Sequence, residues 1–420
     1  MRVGLAYGRH RLDVEVPDDA TVVAPVEPAG LDDEEGAVLR ALRAPLAGPP
    51  LDRLVAADGS VAVVFPDATR PMPNKTVLAP LLAELERLGA GPARVELLCA
   101  TGTHQPASDA ELTEMLGEEV AGRYRVHQHR ADDGSHVMVG RVDGTPVLLD
   151  RRYVSSHVRL CVGLVEPHFF AGFSGGPKGV CPGLAATETV LAAHSPRRIA
   201  DPGATFLRIE GNPVHDFVRA ATALDPPQLS VDVTVNRRRQ LTSVRAAPLP
   251  DGHADACRFV ANTAVRPVRA RFDVVVTTNG GHPLDRNLYQ SVKGMAAAER
   301  LVRPGGTIVM AAACCDGTPT GGAFDAHLRA AGSPAELAED GGEPSPDRWQ
   351  AQVLGRVLGR AAVWLYAGGL DDAEVLRAHL RPVGDMSAAV ADALAAAGPG
   401  ATLAVLPEGP ATVADGDGPV

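Results

Sequence analysis

The chain has 420 residues, a formal net charge of −11, 45% hydrophobic residues and only 4% aromatic ones. The length argues for two domains, or three; the acidity argues against nucleic acid as a non-specific partner; and with no run of 18 apolar residues no transmembrane helix is expected. Six cysteines lie scattered without CxxC spacing, a pattern of a reducing compartment rather than of a disulfide framework or zinc site, so the expected location is the cytoplasm.

The opening "MRVGLAYGRHRLDVEVPDD" reads as two short strands, since it lacks the continuous apolar core of a signal peptide. "VAVVFPD" (61–67) is an apolar run ended by turn residues, hence a buried strand. "NKTVLAPLLAELERLG" (74–89) has helical spacing and a terminal glycine. "RVELLCATGTH" (94–104) is the next strand, and "SDAE" at 108–111 is a capping box that opens a helix. "HVRLCVGLVEP" (157–167) is another buried strand, and "LSVDVTVNRRRQLTSVRAAPL" (229–249) alternates as a hairpin does. A second unit begins with the strand "FDVVVTTNGGHP" (272–283), followed by the helix "NLYQSVKGMAAAERLV" and the strand "GTIVMAAAC", a β-α-β crossover. Residues 345–360 and 371–381 read as helices; "AAVWLYAGG" (361–369) and "ATLAVLPEG" (401–409) read as strands. The expected fold is α/β, two α/β domains with mostly parallel sheets and a site in the cleft between them. The N-terminal domain would span 1–266 and a Rossmann-like C-terminal domain 272–398. In 399–420 the final strand would return to the first domain, with a loose tail after Pro410.

In open α/β sheets ligands bind beyond the carboxyl ends of the strands. Four expected loops there carry unusual residues: "DATRPMPNK" with Asp67, Thr69 and Arg70; "TGTHQ" with His104; "EPHFFAGFSGGPKGVCPG" (166–183) with His168 and Lys178; and "NGGHPLDRNLYQSVKG" with Tyr289, Gln290 and Lys293. Each has a bland reading. Asp67 and Arg70 can pair with each other, His104 can be a hydrogen-bonded loop residue, and Lys178 can snorkel to solvent. Gln290 and Lys293 share a helix face, as many solvated pairs do, and His194 ends a helix where the dipole favours it. The bland reading serves each residue singly and serves the set poorly. Three histidines can move protons or bind a metal, Arg70 and Lys293 can hold a carboxylate, and the glycine-rich turn offers N–H groups to a phosphate. The phosphate-loop pattern itself fails, because Pro177 precedes the lysine and Gly179 follows it. These residues describe a site for a small carboxylic acid and a phosphate-bearing cofactor, open between racemase, dehydrogenase and lyase.

Four motifs in series, at 67–75, 100–112, 166–183 and 279–299, with "PDRWQAQVLGRVL" (346–358) as a fifth, resemble the nickel-dependent lactate racemase family across nearly the whole chain. The resemblance implies a nickel-pincer nucleotide, tethered to a lysine through a thioamide, that takes hydride from C2 of a 2-hydroxy acid and returns it. By motif position Lys178 is the tether, His194 the nickel ligand, and His104 and His168 the two acid/base residues. Arg70, Gln290 and Lys293 match the holders of the substrate carboxylate and oxygens; Tyr289 and Trp349 match aromatic pocket residues; Asp67, Thr69, Ser174, Gly175 and Gly176 match nucleotide contacts. Cofactor-synthesis proteins are the implied partners, with no nucleic acid and no membrane. The alternatives are a cofactor-free two-histidine racemase and a nucleotide-binding member without turnover. Three departures stand out: Pro177 where the family commonly has arginine, His215 where a charged residue is expected, and His282 where an aromatic is frequent. Cys181 near the tether is either a packing residue or a thiol beside the metal. A polar His282 points to a larger or more polar substrate than lactate.

Overall fold

The computed structural model describes residues 1–55, 58–268, 270–319 and 323–415. Two six-stranded sheets organise it. In the first, Val61–Pro66 lies at the centre, with Val95–Ala100 and Arg125–Gln128 on one side and Val158–Leu164, Leu229–Val235 and Leu241–Ala247 on the other. All its pairings are parallel except the hairpin formed by the last two strands. Val61–Phe65 is wholly buried, as β-branched and aromatic residues covered on both faces of a parallel sheet should be. Pro66 ends the strand, having no N–H for the ladder. The chain winds outward from this strand in one direction, then returns to its other side at Val158–Leu164. The gap between the two is a topological switch point, where the loops diverge and leave a crevice.

The second sheet is fully parallel: Arg381–Pro382, Ala362–Tyr366, Val302–Ala311, Phe272–Thr278, Leu403–Leu406 and Thr21–Val22. Its switch point lies between Phe272–Thr278 and Leu403–Leu406. Here the expected boundaries need correction. The final strand Leu403–Leu406 does not return to the first domain; it pairs with Phe272–Thr278 in the second sheet. The crossing runs the other way, since Thr21–Val22 joins the second sheet, and the expected opening hairpin packs Leu5, Val14 and Val16 against Val274, Val309 and Met386 of that unit. Nor is the tail after Pro410 loose, because Val413–Asp415 pairs with Val265–Pro267 at the junction of the two units; residues 416–420 lie outside the described residues. These strands are too short to be assigned a sheet by pattern; the neighbours they bury against decide it.

The capping box forms as expected, with Ser108 and Glu111 exchanging side-chain and backbone bonds, though the helix it opens stops at Gly117. One apolar core runs through both units, from Val64 and Phe169 to Leu288 and Trp349. That continuity brings the carboxyl-end loops of the two sheets face to face. Among the described residues no helix is long and apolar enough to cross a membrane.

Candidate active site

The loop after Val61–Pro66 turns back on itself, and Asp67 is buried within it. Its carboxylate accepts from Thr69 Oγ1 (2.8 Å) and meets His104 Nδ1 at 2.7 Å. Burial alone would raise the Asp67 pKa; the charge and hydrogen bond of His104, the Thr69 bond and the Arg70 charge outweigh it and hold the carboxyl below its ordinary value. The bond requires a proton on His104 Nδ1, so the neutral imidazole keeps its lone pair on Nε2. Arg70 pairs with Glu166 instead of Asp67, at 3.0 Å.

The loop 166–183 is held by contacts within the protein. Ser174 Oγ donates to the Leu164 carbonyl (2.7 Å), and the Gly176 N–H donates to Asp232 Oδ1 (2.7 Å). His253 Nε2 meets the Ser174 carbonyl at 2.9 Å. Gly175 and Gly176 have φ of +74° and +50°, and a Cβ on Gly176 would stand 2.4 Å from the His253 ring. Only glycine fits there, for packing as well as for backbone conformation. A short 3₁₀ turn, Gly176–Gly179, follows and aims Lys178 inward. Lys178 Nζ sits 5.5 Å from the Phe170 ring centre. Burial, with the charges of Arg70 and Lys293, lowers its pKa to about 7.

His168 is buried on the same loop, stacked on Phe169 with centroids 4.9 Å apart. Its Nδ1 accepts from the Ala171 N–H (3.3 Å). Burial, followed by the positive charges of Lys178, Arg70, Lys293 and His194, pushes its pKa well below the usual histidine range. His194 caps the helix Thr187–Ala193. Its Nδ1 donates to the Val190 carbonyl (2.9 Å), which frees Nε2, and burial and the Lys178 charge lower its pKa to about 3.

The second unit closes the site. Asn287 caps the helix Leu288–Glu299 by accepting from the Gln290 N–H (2.9 Å), and Lys293 Nζ donates to Gln290 Oε1 at 2.5 Å. Burial and the Arg70 charge bring Lys293 to about 7. The Trp349 indole N–H donates to the Tyr289 hydroxyl (2.9 Å), and the indole lies 4.8 Å from the His194 ring. Arg70, His104, His168, Lys178, His194, Tyr289, Lys293 and Trp349 all line one cavity of about 130 Å³, with Asp67, Ser174 and Gly175 in its wall. Gln290 and Thr69 line the adjoining cavity of about 290 Å³. Among the described residues no three His, Cys, Asp or Glu side chains converge as a metal cage. A metal at His194 would therefore draw its other donors from a bound group.

Residues 7–206 match the family model described as Lactate racemase N-terminal domain, and residues 268–414 match Lactate racemase C-terminal domain. A lactate racemase of Thermoanaerobacterium thermosaccharolyticum is 30% identical over 97% of each chain, and one of Lactiplantibacillus plantarum is 30% identical over 90% of each. The chain belongs to the lactate racemase family. The structure of the Thermoanaerobacterium thermosaccharolyticum lactate racemase apoprotein superposes with a TM-score of 0.91 at 29% identity, covering 99% of this chain and all of that one. A Thermotoga maritima protein shares the fold at 18% identity, with a TM-score of 0.71 over 93% of this chain. As a member of this family the chain is an isomerase, a racemase.

Within this lactate racemase fold the departures acquire reasons. Pro177 occupies the first turn of the 3₁₀ segment, where a missing N–H removes no helical bond. Its carbonyl accepts from the N–H groups of Val180 and Cys181 and from Thr222 Oγ1 (3.0 Å), so the proline fits without loss. Cys181 is fully buried and does not line the cavity; burial pushes its thiol up to about 12. His215 is buried against His253, rings 6.0 Å apart, and burial lowers it to about 3. Sequence reasoning missed two supports. Glu166 stood within the quoted loop and is the partner of Arg70. Asp232, which anchors the Gly176 N–H, carried a signal of its own: a single acid in the buried strand "LSVDVTV".

Proposed function

We propose that the chain racemises a 2-hydroxy acid by moving hydride off C2 and back. In this reading Lys178 tethers a nickel-pincer nucleotide and His194 ligates its nickel. The observation that carries it is the convergence on one cavity of two acid/base histidines, His168 buried and His104 partly exposed, with two cations able to hold a carboxylate, a lysine of lowered pKa and a histidine with a free Nε2.

The donor set fits such a group. An ordinary lysine, with a pKa of ~10.4, has about one free amine in a few thousand at pH 7. With its pKa lowered to about 7, a far larger share of Lys178 is the nucleophilic amine that an acyl tether requires. His194 Nδ1 is fixed on a backbone carbonyl, the arrangement that orients a metal-bound imidazole. When bound, the group supplies an acceptor and donor of hydride. The protein's own work is orientation and proton transfer. Arg70 and Lys293 hold the carboxylate, and its charge raises Lys293 back towards the ammonium form. His104, with Nδ1 held by Asp67, takes the hydroxyl proton on Nε2. His168 serves the other face. Turning the Lys178 amine into a thioamide would remove the strongest of the charges that lower the His168 pKa, so the tether itself would make His168 more basic. Asp67 and Thr69, with the wall residues Ser174 and Gly175, remain the proposed nucleotide contacts, whereas Gly176 does not line the cavity and gives its N–H to Asp232; Tyr289 and Trp349 shape the pocket. Free cysteines, one of them the exposed Cys315, suit the cytoplasm. Cofactor-synthesis proteins are the partners this reading requires.

The test is a stereochemical assay of cofactor-loaded protein on a panel of 2-hydroxy acids, with intact mass reading the Lys178 adduct. Lys178→Ala should lose both adduct and turnover; full activity without Lys178 would sink the tether. With 2-deuterated substrate in ordinary water, deuterium should stay on C2. Wash-out would instead favour proton exchange by the two histidines without a cofactor.

A further inference from the structure

Beside the 130 Å³ cavity lies a larger one of about 650 Å³. The two share Arg70, His168 and Lys293, so the larger opens on the side where the substrate carboxylate would be held. It spans the facing switch points of the two sheets, with His282 from the loop after Phe272–Thr278 and Glu408 from the loop after Leu403–Leu406. Its size lies within the range of ordinary ligand pockets and is generous for a three-carbon acid.

The charges in its wall are unevenly matched. Arg11 and Arg237 pair with Glu408, and Arg237 also pairs with Glu27. Arg70 pairs with Glu166. Arg9 and Arg239 have no carboxylate within ion-pair distance among the described residues; both turn to His282 instead. Arg9 Nη2 meets its Nε2 at 3.1 Å, and Arg239 Nη2 donates to its carbonyl at 3.1 Å. An arginine donor makes that Nε2 an acceptor, so His282 is the neutral imidazole. Burial, with the charges of Arg9, Arg286 and Arg239, also lowers its pKa. The two guanidiniums reach it from different units, Arg9 from the opening hairpin and Arg239 from the turn of the hairpin Leu229–Ala247. Arg239 also has φ of +60°, a conformation that glycine or asparagine would adopt at less cost. Its turn is built for this, since Asn236 Oδ1 accepts from the N–H groups of Arg238 and Gln240, both at 3.0 Å. A costly conformation that aims a cation is a reason to look for what it binds.

We propose that Arg9 and Arg239, set on the His282 loop, form a distal anion subsite, so that the favoured substrate is a 2-hydroxy acid with a second anionic group rather than lactate. This rests on the racemase reading above. The hydroxy-acid end sits at Arg70 and Lys293 while the far carboxylate or phosphoryl group reaches the guanidiniums of Arg9 and Arg239, which have no carboxylate partner among the described residues.

The experiment compares kcat/KM of the cofactor-loaded enzyme for malate, 2-hydroxyglutarate and 3-phosphoglycerate with those for 2-hydroxybutyrate and 2-hydroxypentanoate. At least one anionic substrate should exceed the uncharged-tail acids by about tenfold or more, the worth of one charge-assisted hydrogen bond. The carboxylate and phosphoryl arms tell which group is read. In Arg239→Gln, and separately in Arg9→Gln, the ratio of anionic to uncharged-tail substrate should fall about tenfold. A wild-type ratio at or below unity, or a ratio unmoved by both variants, overturns the subsite. So does a loss of the Lys178 adduct in Arg239→Gln with the ratio intact, which would assign the arginines to the nucleotide phosphate. If the wild type turns over no 2-hydroxy acid at all, it is the racemase reading that fails. The subsite is then judged by calorimetric titration of the protein with glutarate against pentanoate. Tighter glutarate binding that weakens in Arg239→Gln supports it, and equal affinities overturn it.

Discussion

His104 and His168 face one cavity from two loops, and the protein surrounds them in opposite ways. His104 leans on a carboxylate, Asp67, that fixes its Nδ1 proton. His168 leans on a backbone N–H, lies against two phenylalanines and is ringed by Lys178, Arg70 and Lys293. Two residues with the same proposed task are thus held differently, one oriented by a carboxylate partner and the other shifted by burial and like charge. The difference teaches that His168, unlike His104, would respond to charge added to or removed from the groups around it. In the proposed reading a substrate anion would offset Arg70 and Lys293, and the thioamide at Lys178 would remove a third charge.

The comparison can be broken outright. His104→Gln and His168→Gln should each lower kcat by ~10²–10⁴-fold, the usual worth of a positioned acid or base. A loss below about tenfold in either would end the two-sided scheme. Next in size is Asp67→Asn, which keeps the shape and removes the charge. It should lower kcat by ~10–100-fold with KM little changed, as loss of an orienting partner does; a change confined to KM would make Asp67 a binding residue only. Sharper but smaller is Lys178→Met in cofactor-free protein. His168 is held uncharged at neutral pH first by burial and then by positive neighbours that disfavour its cation, so deleting one neighbour should move its titration to higher pH. NMR of the imidazole reads this, and an unmoved titration would leave burial as the only cause. The smallest effect belongs to Pro177→Ala, expected to cost less than about 1 kcal/mol in urea unfolding, since the proline acts mainly by restricting the unfolded chain. A larger loss would mean that the 3₁₀ turn depends on the ring.

The four loops were legible because each begins where an apolar strand abruptly yields to Asp, His, Lys or Gly. The strands of both sheet centres were legible for the same reason. Less visible were the partners. Arg70 reads most simply as the mate of Asp67, three residues away, yet its mate is Glu166. Ser174 and Gly176 read as phosphate donors, while their hydroxyl and N–H are engaged by Leu164 and Asp232. The opening hairpin reads as part of the first domain and packs on the second. Most of these misses concern contacts between residues far apart in the chain, for which local pattern holds no information.

By itself the sequence determined the α/β class, the strand ends that carry polar loops and the inventory of three site histidines, two lysines and an arginine, because periodicity and turn chemistry act within a few residues. Tertiary structure alone decided which of these groups share a cavity, which nitrogen of each histidine is free, and that two lysines sit near 7 instead of in the ordinary lysine range. Those properties come from desolvation and from charges a few ångströms away, and the chain acquires both only when its two sheets close on each other.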